Sequence, residues 1–178
     1  MRVLVAYETG HGSTAEIAQT IGEVLEQAGL EVVVERCRQV ADVSGYDAFV
    51  VGAPVWATKW LKPARAFLRE NAHLLCERPT AIFITSGAAS DGKGKQMAMR
   101  SYVPKVLAVA PGLQPVAMGN FAGVISFPKY SLPMRLMMKA LCKAQGMPTS
   151  GIVDLRDWDE IRTWAKDVYE AFENAPGR

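Results

Sequence analysis

Apolar residues in this chain follow two alternating rhythms. Short apolar-rich runs fall at residues 3–7 (Val3-Leu4-Val5-Ala6-Tyr7), 31–35 (around Val32-Val33-Val34), 48–52, 80–85 (around Ile82-Phe83-Ile84) and 114–122. Runs of that length read as strands, and the lack of polar interruption at 3–7 marks a strand buried on both faces. Between them the spacing lengthens to that of a helix. Ile17, Ile21, Val24 and Leu25 recur at helical intervals until Gly29 ends the pattern. Pro63 opens a second helix carrying Ala64, Phe67 and Leu68. A third follows a Ser/Gly-rich loop at 86–94 and runs to about Ala110, where Pro111-Gly112 breaks it. The last stripe is Ile161, Trp164, Ala165, Val168 and Phe172. Ahead of it, Asp157 with Glu160 three residues on forms a capping-box pattern.

Strands alternating with helices predict an α/β fold, a doubly wound five-stranded parallel sheet with helices on both faces. The pattern predicts a single domain over residues 1–178, with an insert at about 123–150. Ligands of such sheets bind beyond the carboxyl ends of the strands, near the point where strand order reverses. The loops after strands one, three and four are therefore where chemistry is expected.

The first of these loops reads Glu8-Thr9-Gly10-His11-Gly12-Ser13-Thr14. Gly10 and Gly12 let the backbone curl so that successive N–H groups face one point. Thr9, Ser13 and Thr14 add hydroxyl donors, and the helix that follows adds its positive end. This is a pocket for a monophosphate held by neutral donors. The absence of a Gly-Lys pair excludes a Walker A loop, and the spacing is not G-x-G-x-x-G. His11 reads as a loop residue facing solvent or phosphate rather than as a base, because a phosphate would raise its pKa.

After strand three come Pro54-Val55-Trp56-Ala57-Thr58-Lys59-Trp60. Trp56 can supply a flat wall for a planar ring, and Trp60 a second. After strand four, Ser86-Gly87-Ala88-Ala89-Ser90-Asp91-Gly92 is small and polar, so its backbone can approach a ring edge. The three loops together suit an isoalloxazine ring and one phosphate. The alternatives are a capped helix start, indoles covering a helix end and an ordinary loop.

The net charge of +2 is too small to indicate nucleic-acid binding. Cys37, Cys76 and Cys142 are odd in number, widely spaced and without C-x-x-C spacing. They read as buried, reduced thiols of a cytoplasmic protein, with no metal set. No apolar run is long enough to cross a bilayer.

The insert carries Phe127-Pro128-Lys129-Tyr130, then a helix in which Met134, Met137, Met138 and Leu141 make one face and Arg135, Lys139 and Lys143 another. No acidic residue interrupts it. Such a helix suits a peripheral membrane contact from Lys129 to Lys143, or a lid over a large apolar ligand, or a core helix with a solvated basic edge.

The Thr9-to-Thr14 loop, directly after an apolar strand ending in an aromatic, resembles the FMN-phosphate loop of flavodoxins. With Ala122-Gly123, Phe127-Pro128-Lys129-Tyr130, the basic stretch from Arg135 to Lys143 and Asp157-Trp158, the chain is similar to the quinone-dependent protoporphyrinogen oxidases of the flavodoxin superfamily. That resemblance implies FMN as cofactor, held by Thr9, Gly10, His11, Gly12, Ser13, Thr14, Pro54, Val55, Trp56, Ala57, Ser86, Gly87 and Ala88. It implies a porphyrinogen as reductant and a membrane quinone as acceptor. The alternative is a flavodoxin-type electron carrier, against which the basic pI of about 8.4 weighs. The stretch Trp56-Ala57-Thr58-Lys59 has no glycine to make a peptide flip beside the ring cheap, which predicts two-electron exchange.

Overall fold

The computed structural model describes residues 1–56, 59–90, 92–144 and 146–175, apart from the side chains of Ala88 and Ser90. Five strands run parallel: β1 (Arg2–Tyr7), β2 (Glu31–Arg36), β3 (Ala48–Trp56), β5 (Thr80–Thr85) and β6 (Ala117–Phe121), in the order β2-β1-β3-β5-β6. This is the flavodoxin-like order, with its reversal between β1 and β3. A short strand β4 (Lys59–Trp60) folds back antiparallel on the end of β3, pairing Trp56 with Lys59.

The two-residue period of a strand sorts these runs into two cores. Val3, Val5, Ala48, Val50, Ala81 and Phe83 face one side, which α1 (Ser13–Gln27) and α6 (Trp158–Glu173) cover. Leu4, Ala6, Phe49, Val51, Ile82 and Ile84 face the other, under α2 (Lys62–Glu70), α3 (Ala72–Glu77) and α4 (Gly92–Leu107). Each Val, Leu, Ile or Phe among them, fully withdrawn from water, contributes about 1.5–3 kcal/mol before chain entropy is counted. Gly52 leaves room for the ring of its neighbour across the sheet, Phe83, from which a Cβ would lie 2.0 Å.

Several expected boundaries move. The helix expected to reach Ala110 ends at Leu107 and begins at Gly92, so the loop after strand four is shorter than read and contains a tight turn at Gly87–Ser90. The fifth parallel strand is Ala117–Phe121 rather than 114–122. Asp157 caps α6, accepting the N–H groups of Asp159 and Glu160 at 3.1 and 3.0 Å. Glu160 does not complete a reciprocal box, because its carboxylate pairs with Lys95 at 2.5 Å.

The insert is a small substructure. Its strand β7 (Val124–Ser126) pairs antiparallel with β8 (Ile152–Asp154), and α5 (Leu132–Ala144) lies between them. Ile125, Phe127 and Cys142 form its core, packed by Tyr130, Met138 and Met147. The helix therefore packs through Met138 and Cys142, and Met137 and Leu141 of the expected apolar face stay exposed. Among the cysteines, Cys37 and Cys142 are buried but Cys76 is exposed; all are free thiols.

Candidate functional site

The sheet register brings the ends of β1, β3 and β5 side by side, with Tyr7 beside Gly52 and Pro54 beside Thr85. The first loop is anchored at once, because Glu8 donates its backbone N–H to the Gly52 carbonyl at 2.9 Å. Gly12 then takes φ 107°, the left-handed region that favours glycine. A Cβ at Gly10 or Gly12 would meet nothing within 4 Å, so open space lies in front of the turn. The Thr9 hydroxyl accepts the Gly12 N–H at 2.9 Å and fixes the curl. The N–H groups of Gly10, His11, Ser13 and Thr14 have no acceptor among the described residues. Four unpaired donors at a helix start form an anion cradle.

Beneath the loop lies the buried Glu8 carboxylate. Burial pushes its pKa up, but the Arg38 hydrogen bonds, the Thr9 N–H and nearby positive charge together hold it below the usual value. Arg38 donates from Nε and Nη2 at 3.0 and 2.6 Å, a two-point grip. The neighbouring Cys37 thiol is pushed up to about 12 by burial and by the Glu8 charge, so it stays protonated and is no nucleophile.

A cavity of about 570 Å³ opens on the three loops, a volume suited to a small-molecule site. Gly10, His11, Ser13 and Thr14 line it, with Pro54, Val55 and Trp56 from the second loop and Ser86 and Gly87 from the third. Thr9 and Gly12 do not line it; Thr9 is turned in to hold the curl. Ala57 lies outside the described residues, as does the side chain of Ala88. Trp56 sits half-exposed at the rim, as a wall would. Trp60 does not: it is buried in the core cluster that holds Phe67 and Leu68, because β4 turns it inward.

Thr14 and Thr85 share one hydrogen bond between their hydroxyls at 3.0 Å, which leaves one hydroxyl proton for a ligand. Ser86 is held in place, donating its hydroxyl to Asn120 Oδ1 at 3.3 Å and its N–H to the Phe121 carbonyl at 3.0 Å. Gly87 beside it faces open space. The far half of the cavity is apolar and belongs to the insert, with Val124, Ile125, Met138, Leu141 and Cys142 on its wall. Thr85 and Tyr102 also line it. Thr85 was legible as the last residue of a strand, whereas no local pattern marked Tyr102.

Two ties bind the insert region to the first loop. Lys129 Nζ donates to the His11 carbonyl at 3.0 Å, and the His11 and Tyr130 rings meet edge-on with centroids 5.5 Å apart. Lys129 thus faces the loop, unlike the rest of the basic stretch it was grouped with. Arg156, just past β8, donates to Asp154 at 2.9 and 2.6 Å and to Glu16 on α1 at 2.7 Å.

Residues 4–151 match the flavodoxin domain family. The chain belongs to that family. Over 172 residues, 94% of each chain, it is 23% identical to protoporphyrinogen IX dehydrogenase [quinone] from Escherichia coli strain K12. Its fold is similar to that of a flavodoxin from the domain Archaea, with TM-score 0.58 and 18% identity over 98% of this chain and 100% of that one. It is similar to oxidised flavodoxin 2 from Bacillus cereus, with TM-score 0.58 and 16% identity over 96% and 99%. Flavodoxin membership implies a flavin, typically FMN. The donors present fit that group. Four free N–H groups suit a phosphate, and the flat indole of Trp56 and the open Gly87 turn suit a ring and its edge.

Proposed function

We propose that this flavodoxin-domain protein is an FMN-dependent oxidoreductase that oxidises a large apolar substrate beneath the insert and passes the electrons to a quinone. Protoporphyrinogen IX, named by the E. coli relative, is the substrate we infer. The carrying observation is that one cavity runs from the phosphate-type turn to the apolar underside of the insert. A cofactor held at the loops and a substrate held under Ile125, Met138 and Leu141 would share that space.

FMN, when bound, supplies the electron-accepting chemistry. The chain's own residues do the rest. The N–H groups of Gly10, His11, Ser13 and Thr14 hold the phosphate, and Thr9 and Gly12 shape the turn. Pro54, Val55 and Trp56 would flank the ring, and Ser86 and Gly87 would border its polar edge. Val124, Ile125 and Met138 of the insert would shield the reacting face from water. Burial raises the Tyr130 hydroxyl above its ordinary pKa, so it stays a neutral donor on the cavity wall. On α5, Leu132 and Leu136 are exposed, with Arg135, Lys139 and Lys143 beside them on the helix. That face suits peripheral contact with an anionic membrane, where a quinone would be met.

The test is anaerobic turnover of the FMN-loaded protein with protoporphyrinogen and a soluble quinone, read by porphyrin fluorescence. The expected result is porphyrin formation that requires both protein and quinone. A flavoprotein that exchanges electrons with small redox proteins but forms no porphyrin is instead a carrier without a substrate of its own.

A further inference from the structure

The first loop offers neutral donors only, yet a phosphate monoester carries about two negative charges near neutral pH. The acids on either side of the loop are both neutralised by their own arginines. Glu8 pairs with Arg38 at 2.6 Å and Glu16 with Arg156 at 2.7 Å. Those guanidinium groups are committed, Arg156 also to Asp154 at 2.6 Å. Lys129 is different. It reaches back from the insert to the loop, its ammonium donates to the His11 carbonyl at 3.0 Å, and it makes no ion pair among the described residues. One carbonyl uses one of an ammonium's three N–H groups, so two remain. The carbonyl it holds belongs to the same turn as the unpaired N–H groups of Gly10, His11, Ser13 and Thr14. The contact between the His11 and Tyr130 rings braces this geometry from the next residue of the insert.

We propose that Lys129 is the cationic partner of the cofactor's phosphate, so that the insert, and not the loop alone, selects a phosphorylated flavin over an unphosphorylated one. This rests on the FMN reading above. It makes the insert part of the cofactor site as well as a cover for substrate. Bound phosphate, in turn, holds the insert against the loop.

The experiment titrates the full chain, freed of flavin, with FMN and with riboflavin, followed by quenching of flavin fluorescence. The chain is compared with Lys129→Met and Lys129→Arg. Lys129→Met is expected to weaken FMN by about tenfold, the scale of a lost charged hydrogen bond, while riboflavin changes by less than about twofold. Lys129→Arg is expected to restore most of the loss, and added salt to weaken FMN binding more in the parent than in Lys129→Met. Equal loss for both flavins would make Lys129 a strap and overturn the assignment, as would no loss for either. Both outcomes leave the FMN reading standing. A parent that binds neither flavin overturns that reading and this one together.

Discussion

Glu8 concentrates the physical chemistry of the first loop in one side chain. It is fully buried and ionised, and its carboxylate is gripped by Arg38 and by the Thr9 N–H. Such a pair is no strong source of net stability, but removing one partner leaves the other uncompensated. Its pKa is held below the ordinary carboxyl value, so the sign of its pH linkage is fixed. The stabilisation is complete above the unfolded-state pKa and disappears as pH falls through the lower folded value. Thermal melts are therefore expected to be level from neutrality to about pH 5 and to fall at lower pH. Glu8→Gln should melt lower than the parent at neutral pH and lose part of the acid slope. An unchanged slope in that variant would assign the acid sensitivity to other carboxylates. The sequence placed Glu8 at a strand end but could not reveal Arg38, which is thirty positions away.

At the scale of elements, α5 sets the most specific expectation. A helix in a folded domain buries its apolar stripe, and here only Cys142 is fully buried. Leu132 is 68% exposed and Leu136 is 60% exposed. With Arg135, Lys139 and Lys143 beside them, these residues are built for an anionic interface, where each cation contributes about 1 kcal/mol close to the surface. Replacing Arg135, Lys139 and Lys143 by Glu is expected to abolish sedimentation with anionic vesicles at low salt and to leave FMN affinity within about threefold. Parent protein that does not sediment would end the membrane reading. Met137 and Leu141 were grouped with the packed face by their spacing alone. Helical spacing gives an angle around the axis, but only the position of β7 and β8 decides which angle faces the domain.

For the whole molecule, the cavity has one phosphate-type turn and, among the described residues, no second nucleotide half-site. The chain is therefore expected to take up FMN in preference to FAD. Thr14 shares a hydrogen bond with the Thr85 hydroxyl, and the pair leaves one hydroxyl proton at the cavity wall. Thr14→Ala is expected to weaken FMN by about 1–2 kcal/mol, measured by the same fluorescence titration. Equal affinity for FMN and riboflavin in the parent would remove the phosphate from the site. The two-electron expectation drawn from the absence of glycine beside the ring concerns Ala57 and Thr58, which lie outside the described residues.

The five parallel strands, the helices between them apart from α3, and the three loops at their carboxyl ends were legible in the sequence. Each is written in local periodicity and turn chemistry, which need no distant partner. Gly10, His11, Ser13, Thr14, Pro54, Val55, Trp56, Ser86 and Gly87 were picked from those loops and meet on one cavity. What the tertiary structure decided depends on contacts between distant parts of the chain. It turned Trp60 into the core, closed the insert by pairing β7 with β8, and drew Arg38 to Glu8. It also carried Lys129 across 118 positions to the His11 carbonyl. Local pattern specifies which way a side chain can turn; only the packing of the finished fold specifies what it meets there.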